Sequence, residues 1–247
     1  MTHKRGRPAG MLIWVTQSLR KIRIGIDFWR HRWRLKQKKW QSSQAYEQYL
    51  DIQLHRTLSR KNTPLPRRAK LLIDKTAEFI DLTRCDVLCV GCRNMAEINY
   101  FRHKGSRSVV GIDLYSQRED ILVMDMHAMT FEADHFDLIF SSHSLEHALN
   151  LEQVTGEFIR TVRDGGIIVV EVPVHYDVGR TGTDLIDFGS LDNLHRNLEP
   201  YVDQVLWSET SQAGAFGGEL GTDAIRTIIR VRKQGLLVGQ AARWTEK

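Results

Sequence analysis

The stretch 87-VLCVGCRN-94 joins an apolar run to a polar turn through a single glycine, Gly91. Many nucleotide-binding loops begin in this way, because glycine lets the backbone approach a ligand closely. A loop that wraps a pyrophosphate has three spaced glycines, however, and here larger residues follow the first one. The stretch is therefore either the loop of a cofactor site that lacks two glycines or a buried strand that ends in an ordinary turn.

Apolar runs of strand length recur along the chain and alternate with stretches of helical spacing. The strand-like runs are 86-DVLCV-90, 108-SVVGI-112, 121-ILVM-124, 136-FDLIFS-141 and 166-GIIVVEV-172. The helical stretches include 69-AKLLIDKTAEFIDL-82, 94-NMAEINYFRH-103 and 151-LEQVTGEFIRTV-162. Short apolar strands that helices separate indicate a parallel sheet with helices on both faces.

The last part of the chain changes character. The strand-like segments 202-VDQVLWSE-209 and 224-AIRTIIRVRK-233 flank a glycine-rich stretch, 211-SQAGAFGGELG-221. Consecutive strands joined by a loop, with no helix between them, form an antiparallel pair. We interpret the glycine-rich stretch as the hairpin connection, with the covering of a ligand as the alternative. The pattern predicts a doubly wound, mostly parallel seven-stranded α/β sheet that ends in an antiparallel strand pair.

Charge divides the chain into two unlike parts. Residues 1–70 contain 18 Lys and Arg against 3 acidic residues, a net charge of +15, whereas the other 177 residues contain 17 basic and 27 acidic residues, a net charge of −10. A basic segment on an acidic body suggests an anionic partner for that segment. We predict a basic helical arm over residues 1–58, a linker with two prolines over 59–68, and a folded domain over 69–247.

Within the arm, apolar residues follow one side of a predicted amphipathic helix at steps of three and four. The residues of this seam are Val15, Leu19, Ile22, Ile26, Trp29 and Trp33. Tryptophan and arginine on one helix are typical of a lipid headgroup interface, so residues 11–40 predict contact with an anionic membrane surface. Packing of the seam on the domain or on a second subunit is the alternative, and nucleic acid ranks behind both. The Arg-rich start is also compatible with a mitochondrial transit peptide.

The cysteine content and the absence of a long apolar run bear on location and metal binding. Cys89 and Cys92 form a CxxC pair without a second pair, and Cys89 lies inside an apolar run, so we predict no metal site. An odd number of cysteines without a secretory signal is typical of a reducing compartment. The chain contains no run of about 18 apolar residues that would span a bilayer. We expect a cytoplasmic protein, peripheral on the membrane if the arm binds there.

Five stretches in order give residues 69–233 a resemblance to the class I S-adenosylmethionine-dependent methyltransferases of the group called methyltransferase type 11. They are 87-VLCVGCRN-94, 109-VVGIDLY-115, 121-ILVMDMHAM-129, 136-FDLIFSSHSLEHALN-150 and 161-TVRDGGIIVVEVP-173. The resemblance implies a Rossmann-like fold, S-adenosylmethionine as cofactor and a methyl-transfer activity. S-adenosylmethionine carries no phosphate, so one glycine is enough at the first loop.

Two strand-end acids are the implied nucleoside contacts. Asp113, followed by Leu114, lies about 22 residues after Gly91, near the spacing of a ribose-binding acid. The resemblance implies that Asp125 accepts a hydrogen bond from the adenine amine while Met126 packs on the ring. The alternatives are a turn cap for Asp113 and a solvated turn for Asp125.

The remaining implied cofactor contacts lie in and near the first loop. The implied set is Gly91, Cys92, Arg93, Asn94, Glu97 and Ser142. Arg93 is expected at the methionine carboxylate and Glu97 at the amine or the loop, while Asn94 either takes a positive φ or caps the next helix. The family often has an acid at Cys89 and glycines at Arg93 and Met95, and these departures leave loss of the cofactor as an alternative.

Two histidines are candidate general bases. His143 follows the fourth strand and ranks first, and His175 follows the fifth strand and ranks second. The adjacent pair Glu146–His147 points to different faces of a helix, so we predict no metal there. The polar span 174–200 is expected to form the acceptor pocket.

These features predict an S-adenosylmethionine-dependent methyltransferase that O-methylates a small-molecule, glycan or lipid-linked acceptor near a membrane surface. An RNA methyltransferase anchored by the arm is one alternative. A non-catalytic binding protein with a methyltransferase fold is the other. The absence of an Asn-Pro-Pro-aromatic signature disfavours methylation of base amines.

Overall fold

The computed structural model of the protein describes residues 44–60, 63–116, 118–179 and 182–233. The predicted seam of the arm, residues 11–40, lies outside the described residues. Within the described ranges, no helix is both long and apolar enough to cross a membrane.

The described residues form one sheet of seven strands. The strands are β1 (Asp86–Val90), β2 (Ser108–Asp113), β3 (Ile121–Val123), β4 (Phe136–Ser142), β5 (Val162–Val174), β6 (Val202–Ser211) and β7 (Asp223–Val231). Their spatial order is β3-β2-β1-β4-β5-β7-β6. The pairs among β1 to β5 are parallel, whereas β7 pairs antiparallel with both β5 and β6. The predicted mostly parallel sheet with an antiparallel end is therefore confirmed.

Helices cover both faces of the sheet. They are α1 (Gln44–Arg60), α2 (Arg67–Thr76), α3 (Ala96–His103), α4 (Leu151–Thr161), α5 (Leu191–Arg196) and the short α6 (Ala215–Gly218), with 3₁₀ turns at Leu82–Arg84 and Leu145–His147. Alternate residues of β1 belong to different cores: Leu88 packs in the core that contains Phe158 of α4, and Cys89 packs in the core that contains Phe101 of α3. Burial on both faces explains why β1 reads as a continuous apolar run.

The predicted boundary between arm and domain differs from the structure. The sequence predicted a linker over residues 59–68, but α1 continues to Arg60 and α2 already begins at Arg67. The physical reason is burial, because Leu54 and Leu58 of α1 pack against Tyr115, which follows β2. The last 17 residues before the connection thus form a helix that packs on the carboxyl edge of the sheet.

Two further predicted boundaries also shift. The helix predicted over 69–82 ends at Thr76, and Asp81 then caps the 3₁₀ turn by accepting a hydrogen bond from the Thr83 N–H at 3.0 Å. The glycine-rich loop between β6 and β7 contains the short α6, whose residue Phe216 has φ 58°. This loop reaches α2, since the Glu219 carboxylate accepts hydrogen bonds from the backbone N–H groups of the first α2 residues at 2.8 and 2.9 Å. A carboxylate is a favourable partner for the free N–H groups of a helix N-terminus.

Candidate functional site

Two adjoining cavities open at the carboxyl ends of the parallel strands, where open α/β sheets bind ligands. Gly91, Arg93 and His143 line both cavities, so the cavities meet at the loop after β1. All ten predicted cofactor residues line one or both of them. Gly91, Arg93, Asp113, Leu114, Asp125 and Met126 line the first cavity, and Gly91, Cys92, Arg93, Asn94, Glu97 and Ser142 line the second.

The loop after β1 needs its glycine. Gly91 has φ 67°, and a Cβ atom there would lie 2.3 Å from the Ser144 Oγ. Arg93 has a positive φ of 57°. A positive φ was one of the two alternatives predicted for Asn94, and it occurs one residue earlier. Asn94 takes the capping alternative instead, because its Oδ1 accepts a hydrogen bond from the Ala96 N–H at 2.8 Å at the start of α3.

Asp113 is buried at the end of β2 and faces the first cavity. Its Oδ2 accepts a hydrogen bond from the Arg93 N–H at 2.9 Å and its Oδ1 accepts one from the Tyr115 N–H at 3.2 Å. Burial raises the pKa of Asp113, while the Arg93 cation, the two N–H donors and the Thr57 hydroxyl of α1 oppose that rise. The carboxylate therefore both caps the turn and faces the cavity, and its contact with ribose stays a prediction.

Asp125 lies on the wall of the same cavity and is 1% exposed, which rules out the alternative of a solvated turn. Its Oδ1 lies 2.8 Å from the His127 N–H and 2.5 Å from the His127 Nδ1. The His127 Nε2 accepts a hydrogen bond from the Leu149 N–H at 3.0 Å, so the proton of a neutral ring is on Nδ1, toward Asp125. This chain of bonds fixes the loop after β3 against the segment after β4.

The second cavity is lined by charged groups of both signs. Arg68 of α2 donates to the Ser142 Oγ at 3.1 Å and pairs with the buried Glu171 of β5. Glu97 of α3 lies on the same wall, and burial raises the pKa of its carboxyl to about 8, against the opposing effect of Arg68 and Arg93. The cavity thus offers guanidinium groups to an anion and a carboxyl group to a cation.

His143 follows β4 with φ 54°, a backbone conformation that non-glycine residues seldom adopt. Its Nε2 lies 3.3 Å from the Glu171 Oε1, and its Nδ1 lies 3.8 Å from the Glu146 Oε1. Burial lowers the pKa of His143 well below its usual value, and the Arg68 charge adds to this shift. The imidazole is therefore neutral near pH 7.

His147 differs from His143 in the direction of its pKa shift. Burial alone would lower the pKa of His147, but Glu146 and Asp184 raise it above its usual value. The His147 Nδ1 lies 2.8 Å from the Thr183 carbonyl oxygen and 3.1 Å from the Asp184 Oδ1. Across the described residues, no three His, Cys, Asp or Glu side chains are grouped as a metal ion would require.

The structure does not bring His175 to the cavities. Its side chain is 57% exposed, and its Nδ1 lies 2.9 Å from the Asp223 Oδ2. None of the described residues of the span 174–200 lines either cavity, although this span was expected to form the acceptor pocket. Part of it is buried in the core instead, through Phe188 and Leu194. Asp184 approaches the first cavity through its contacts with His147 and with Arg56 at 3.2 Å.

Sequence reasoning missed the cavity residues that precede β1. Four residues of α1 line the first cavity, and Arg68 of α2 lines the second. The four are Tyr49, Gln53, Arg56 and Thr57. The sequence did contain a signal for this helix. Leucines 50, 54 and 58 recur every four residues, and so do polar residues 49, 53 and 57, so the two series form neighbouring stripes of one helix.

Residues 88–170 match the family model for a methyltransferase domain, Methyltransf_11. Residues 88–170 belong to a methyltransferase domain. Among proteins with curated functions, none matches this chain at a significant level.

Solved structures of low sequence identity share the fold of the methyltransferase domain. The N-methyltransferase NodS from Bradyrhizobium japonicum, in complex with S-adenosyl-l-homocysteine, is 13% identical, with 77% of this chain and 100% of that chain covered and a TM-score of 0.57. A protein from Galdieria sulphuraria described as a sarcosine dimethylglycine methyltransferase is 15% identical, with 66% and 84% covered and a TM-score of 0.55. A protein from Listeria monocytogenes described as an S-adenosylmethionine-dependent methyltransferase is 13% identical, with 68% and 100% covered and a TM-score of 0.50. The family match and this shared fold support an enzyme with S-adenosylmethionine as its cofactor.

The residues of the methyltransferase domain fit this cofactor. The first cavity has buried acids, Asp113 and Asp125, for the hydroxyl and amine donors of an adenosine. The second cavity has Arg68 and Glu97 for the carboxylate and ammonium groups of a methionine. Gly91 lies where the cavities join and adds no side chain of its own there. A cofactor without phosphates needs no further glycine, which accounts for the unusual loop.

Proposed function

We propose that the protein transfers a methyl group from S-adenosylmethionine to a hydroxyl group of a polar acceptor, with His143 as the proton acceptor. The observation that carries the proposal is the position of His143, which lines both cavities where they meet. Bound S-adenosylmethionine supplies an electrophilic methyl group, and the protein aligns the acceptor and removes its proton.

The surroundings of His143 support this role. The His143 Nε2 lies 3.3 Å from the Glu171 Oε1 and makes no hydrogen bond within the described residues, so either ring nitrogen of the neutral imidazole can present its lone pair. The imidazolium that results lies beside two carboxyl groups, with Glu171 at 3.3 Å and Glu146 at 3.8 Å from its ring nitrogens. Glu171 is held in turn by the Arg226 Nε at 2.9 Å and by Arg68.

Polar groups at the first cavity favour a polar acceptor. Arg56 and His147 line this cavity, and Asp184 contacts both of them. A hydroxyl-bearing molecule, such as a sugar, finds donors and acceptors there, whereas a lipid tail would leave these charged groups without solvent. The proposed acceptor is therefore the polar part of a small molecule, a glycan or a lipid-linked glycan.

The arm supports a location at an anionic membrane surface, on the cytoplasmic side. Residues 11–40 contain nine Lys and Arg and one acidic residue, together with four of the chain's six tryptophans. Each basic residue near an anionic surface contributes about 1 kcal/mol to binding, and the seam adds apolar area.

Transfer of a labelled methyl group tests the catalytic part. The full-length protein is incubated with S-adenosylmethionine that carries a radiolabelled methyl group and with the lipid, glycan and RNA fractions of a cell extract. We expect label in the lipid or glycan fraction, in an ether that withstands mild alkali. His143→Gln should lower the rate about 10²- to 10⁴-fold and change the affinity for S-adenosylhomocysteine less than about threefold.

His175→Gln is the matched control, because His175 is exposed and lines neither cavity. Its rate should equal that of the wild type. A rate that falls in His175→Gln and not in His143→Gln would reverse the two assignments. Label in the RNA fraction alone would support the RNA methyltransferase instead.

Co-sedimentation with vesicles tests the membrane part. Neutralising Arg30, Arg32 and Arg34 together to Gln should weaken binding of the full chain to vesicles with anionic lipid at least about 30-fold, since three charges are removed. Neutralising three cations of the domain, Lys70, Lys75 and Arg84, is the control and should change binding little. Equal losses in the two triple variants, or no sedimentation of the wild type, would contradict a membrane role for the arm.

A further inference from the structure

Gln53 of α1 carries a buried amide nitrogen that has no hydrogen-bond partner within the part of the chain that the structure describes. The side chain is 8% exposed and lines the first cavity. A buried donor is seldom left unpaired in a folded protein, so such a group needs an explanation. Its place on the cavity wall indicates that a ligand supplies the missing acceptor.

The helix that carries Gln53 is held firmly against the sheet. Leu54 and Leu58 are buried with Tyr115, and Leu50 packs against Leu114 and Leu185. These contacts are made by the stripe of α1 next to the one that contains Gln53, so the position of Gln53 over the cavity follows from helical geometry.

The same face of α1 presents other polar groups to the cavity. Tyr49 lies one turn before Gln53 and Thr57 one turn after it, and both line the cavity. The Thr57 hydroxyl interacts with the Asp113 carboxylate on the opposite wall. The wall formed by α1 therefore faces the strand-end acid that is predicted to bind ribose.

The two walls are complementary in their hydrogen bonding. Asp113 and Asp125 are acceptors when ionised, so they suit the hydroxyl and amine donors of an adenosine. The ribose oxygens and the ring nitrogens of an adenosine are acceptors, and these need donors on the other wall. The Gln53 amide is such a donor, and it lines the cavity with both acids.

We propose that Gln53 donates a hydrogen bond to the adenosine part of S-adenosylmethionine, so that α1 forms one wall of the nucleoside site. The proposal rests on the use of this cofactor by the methyltransferase domain. It adds a contact from a segment that lies before the domain predicted from the sequence and before the residues 88–170 of the family match. It also means that the basic arm is joined directly to a cofactor-binding helix.

Calorimetry on the full-length protein tests the proposal with two ligands. S-adenosylhomocysteine contains the nucleoside and the amino acid, whereas 5′-methylthioadenosine contains the nucleoside alone. Gln53→Met keeps the volume and removes the donor, and we expect about 10- to 30-fold weaker binding of both ligands, by equal factors. The melting temperature of the free protein should be unchanged or higher, because the variant removes an unpaired buried donor.

A purely structural role for Gln53 would give the opposite pattern. The melting temperature of Gln53→Met would then fall while both affinities stayed within twofold of the wild type, and that result would overturn the proposal. If the fall in stability complicates the comparison, Gln53→Glu has nearly the same shape and exchanges the amide donor for a third carboxyl beside Asp113 and Asp125. Gln53→Glu should weaken the binding of both ligands at least 30-fold, and an unchanged affinity in this variant would equally refute the contact.

His55→Ala is the matched control, since His55 lies on the exposed side of the same helix. Both affinities should stay within twofold of the wild type. A loss as large as that of Gln53→Met would mean that the helix as a whole, rather than the amide, is responsible, and would overturn the proposal. Failure of the wild type to bind S-adenosylhomocysteine would contradict the cofactor assignment itself, a result distinct from an unaffected Gln53 variant.

Discussion

The two cavities that meet at Gly91 differ in the charges of their walls. The first has the strand-end acids Asp113 and Asp125 opposite the polar face of α1, whereas the second has Arg68 and Glu97. The first suits an uncharged ligand with many donors and acceptors, and the second suits a zwitterion. We therefore expect the two halves of S-adenosylmethionine to contact different residues. A substitution in one cavity should then weaken binding of one half and leave binding of the other half unchanged.

The largest expected effect comes from Asp113→Ala, which removes the carboxylate proposed for the ribose hydroxyls. Two charge-assisted hydrogen bonds contribute about 1.5–3 kcal/mol each, so binding should weaken at least about 100-fold. Because the residue acts on the nucleoside half, calorimetry should detect the loss with both S-adenosylhomocysteine and 5′-methylthioadenosine. Asp120→Ala, an exposed acid paired with Arg102, is the control. Full affinity in Asp113→Ala would mean that the ribose site lies elsewhere.

Gly91→Ala should affect both cavities at once. The new Cβ would overlap the Ser144 Oγ, and the positive φ adds backbone strain, so we expect about 30-fold weaker binding of S-adenosylhomocysteine and a loss of about 1–3 kcal/mol in the free energy of unfolding. Urea denaturation and calorimetry measure the two effects. Gly165→Ala has a positive φ of 75° with open space around it, so it should share the strain and keep the affinity. Equal affinities in the two variants would show that the loop tolerates a side chain.

Arg68→Gln should weaken ligand binding in the second cavity and leave binding in the first cavity unchanged. The variant removes a cation from the second cavity, so S-adenosylhomocysteine should bind about 10-fold more weakly while 5′-methylthioadenosine binds as before. The Arg226 Nε still contacts Glu171 at 2.9 Å, which keeps that buried carboxylate paired. Arg84→Gln, an exposed cation outside both cavities, is the control. Equal losses of affinity for the two ligands in Arg68→Gln would mean that the two halves of the cofactor do not bind to separate sets of residues.

The last prediction concerns the stability of the free protein and its dependence on pH, and involves no ligand. Burial raises the pKa of Glu97 to about 8 from 4.5, so the unfolded chain loses this proton at lower pH than the folded protein does. The contribution of Glu97 to stability is therefore fully present below pH 4.5 and is lost as pH rises to about 8, by roughly 2–3 kcal/mol for a partly exposed group. Glu97→Gln should remove this slope in urea denaturation between pH 5 and 8. An unchanged slope would show that Glu97 ionises normally.

The sequence predicted the sheet and the strand-end residues well because both follow from local patterns. β1 was predicted with its observed bounds, Asp86–Val90, since a strand buried on both faces is a short apolar run that a turn ends. Asp113 and Asp125 were predicted to line the site because residues at the carboxyl ends of parallel strands meet at one edge. His143 lies at the cavities for the same reason.

The helical walls of the site could not be predicted in the same way. Gln53 and Arg68 reach the cavities through packing between segments far apart in sequence, such as the contact of Arg68 with Glu171. The charge of the first 70 residues also suggested an arm that is separate from the domain. The leucine stripe of α1 was therefore not recognised as a surface that packs on the domain. His175 was ranked as a base from its place after β5, but its pairing with Asp223 holds it away from the cavities.

The most direct test of the two-cavity account is calorimetry of S-adenosylhomocysteine and 5′-methylthioadenosine with the wild type and Glu97→Gln between pH 6 and 8.5. Below pH 8 the Glu97 carboxyl of the free protein is protonated, and an ammonium group favours its ionised form. The affinity of the wild type for S-adenosylhomocysteine should therefore rise with pH by up to about tenfold per unit until about pH 8. Its affinity for 5′-methylthioadenosine should be constant, and Glu97→Gln should show a flat profile for both ligands. Parallel pH profiles for the two ligands in the wild type would contradict the account.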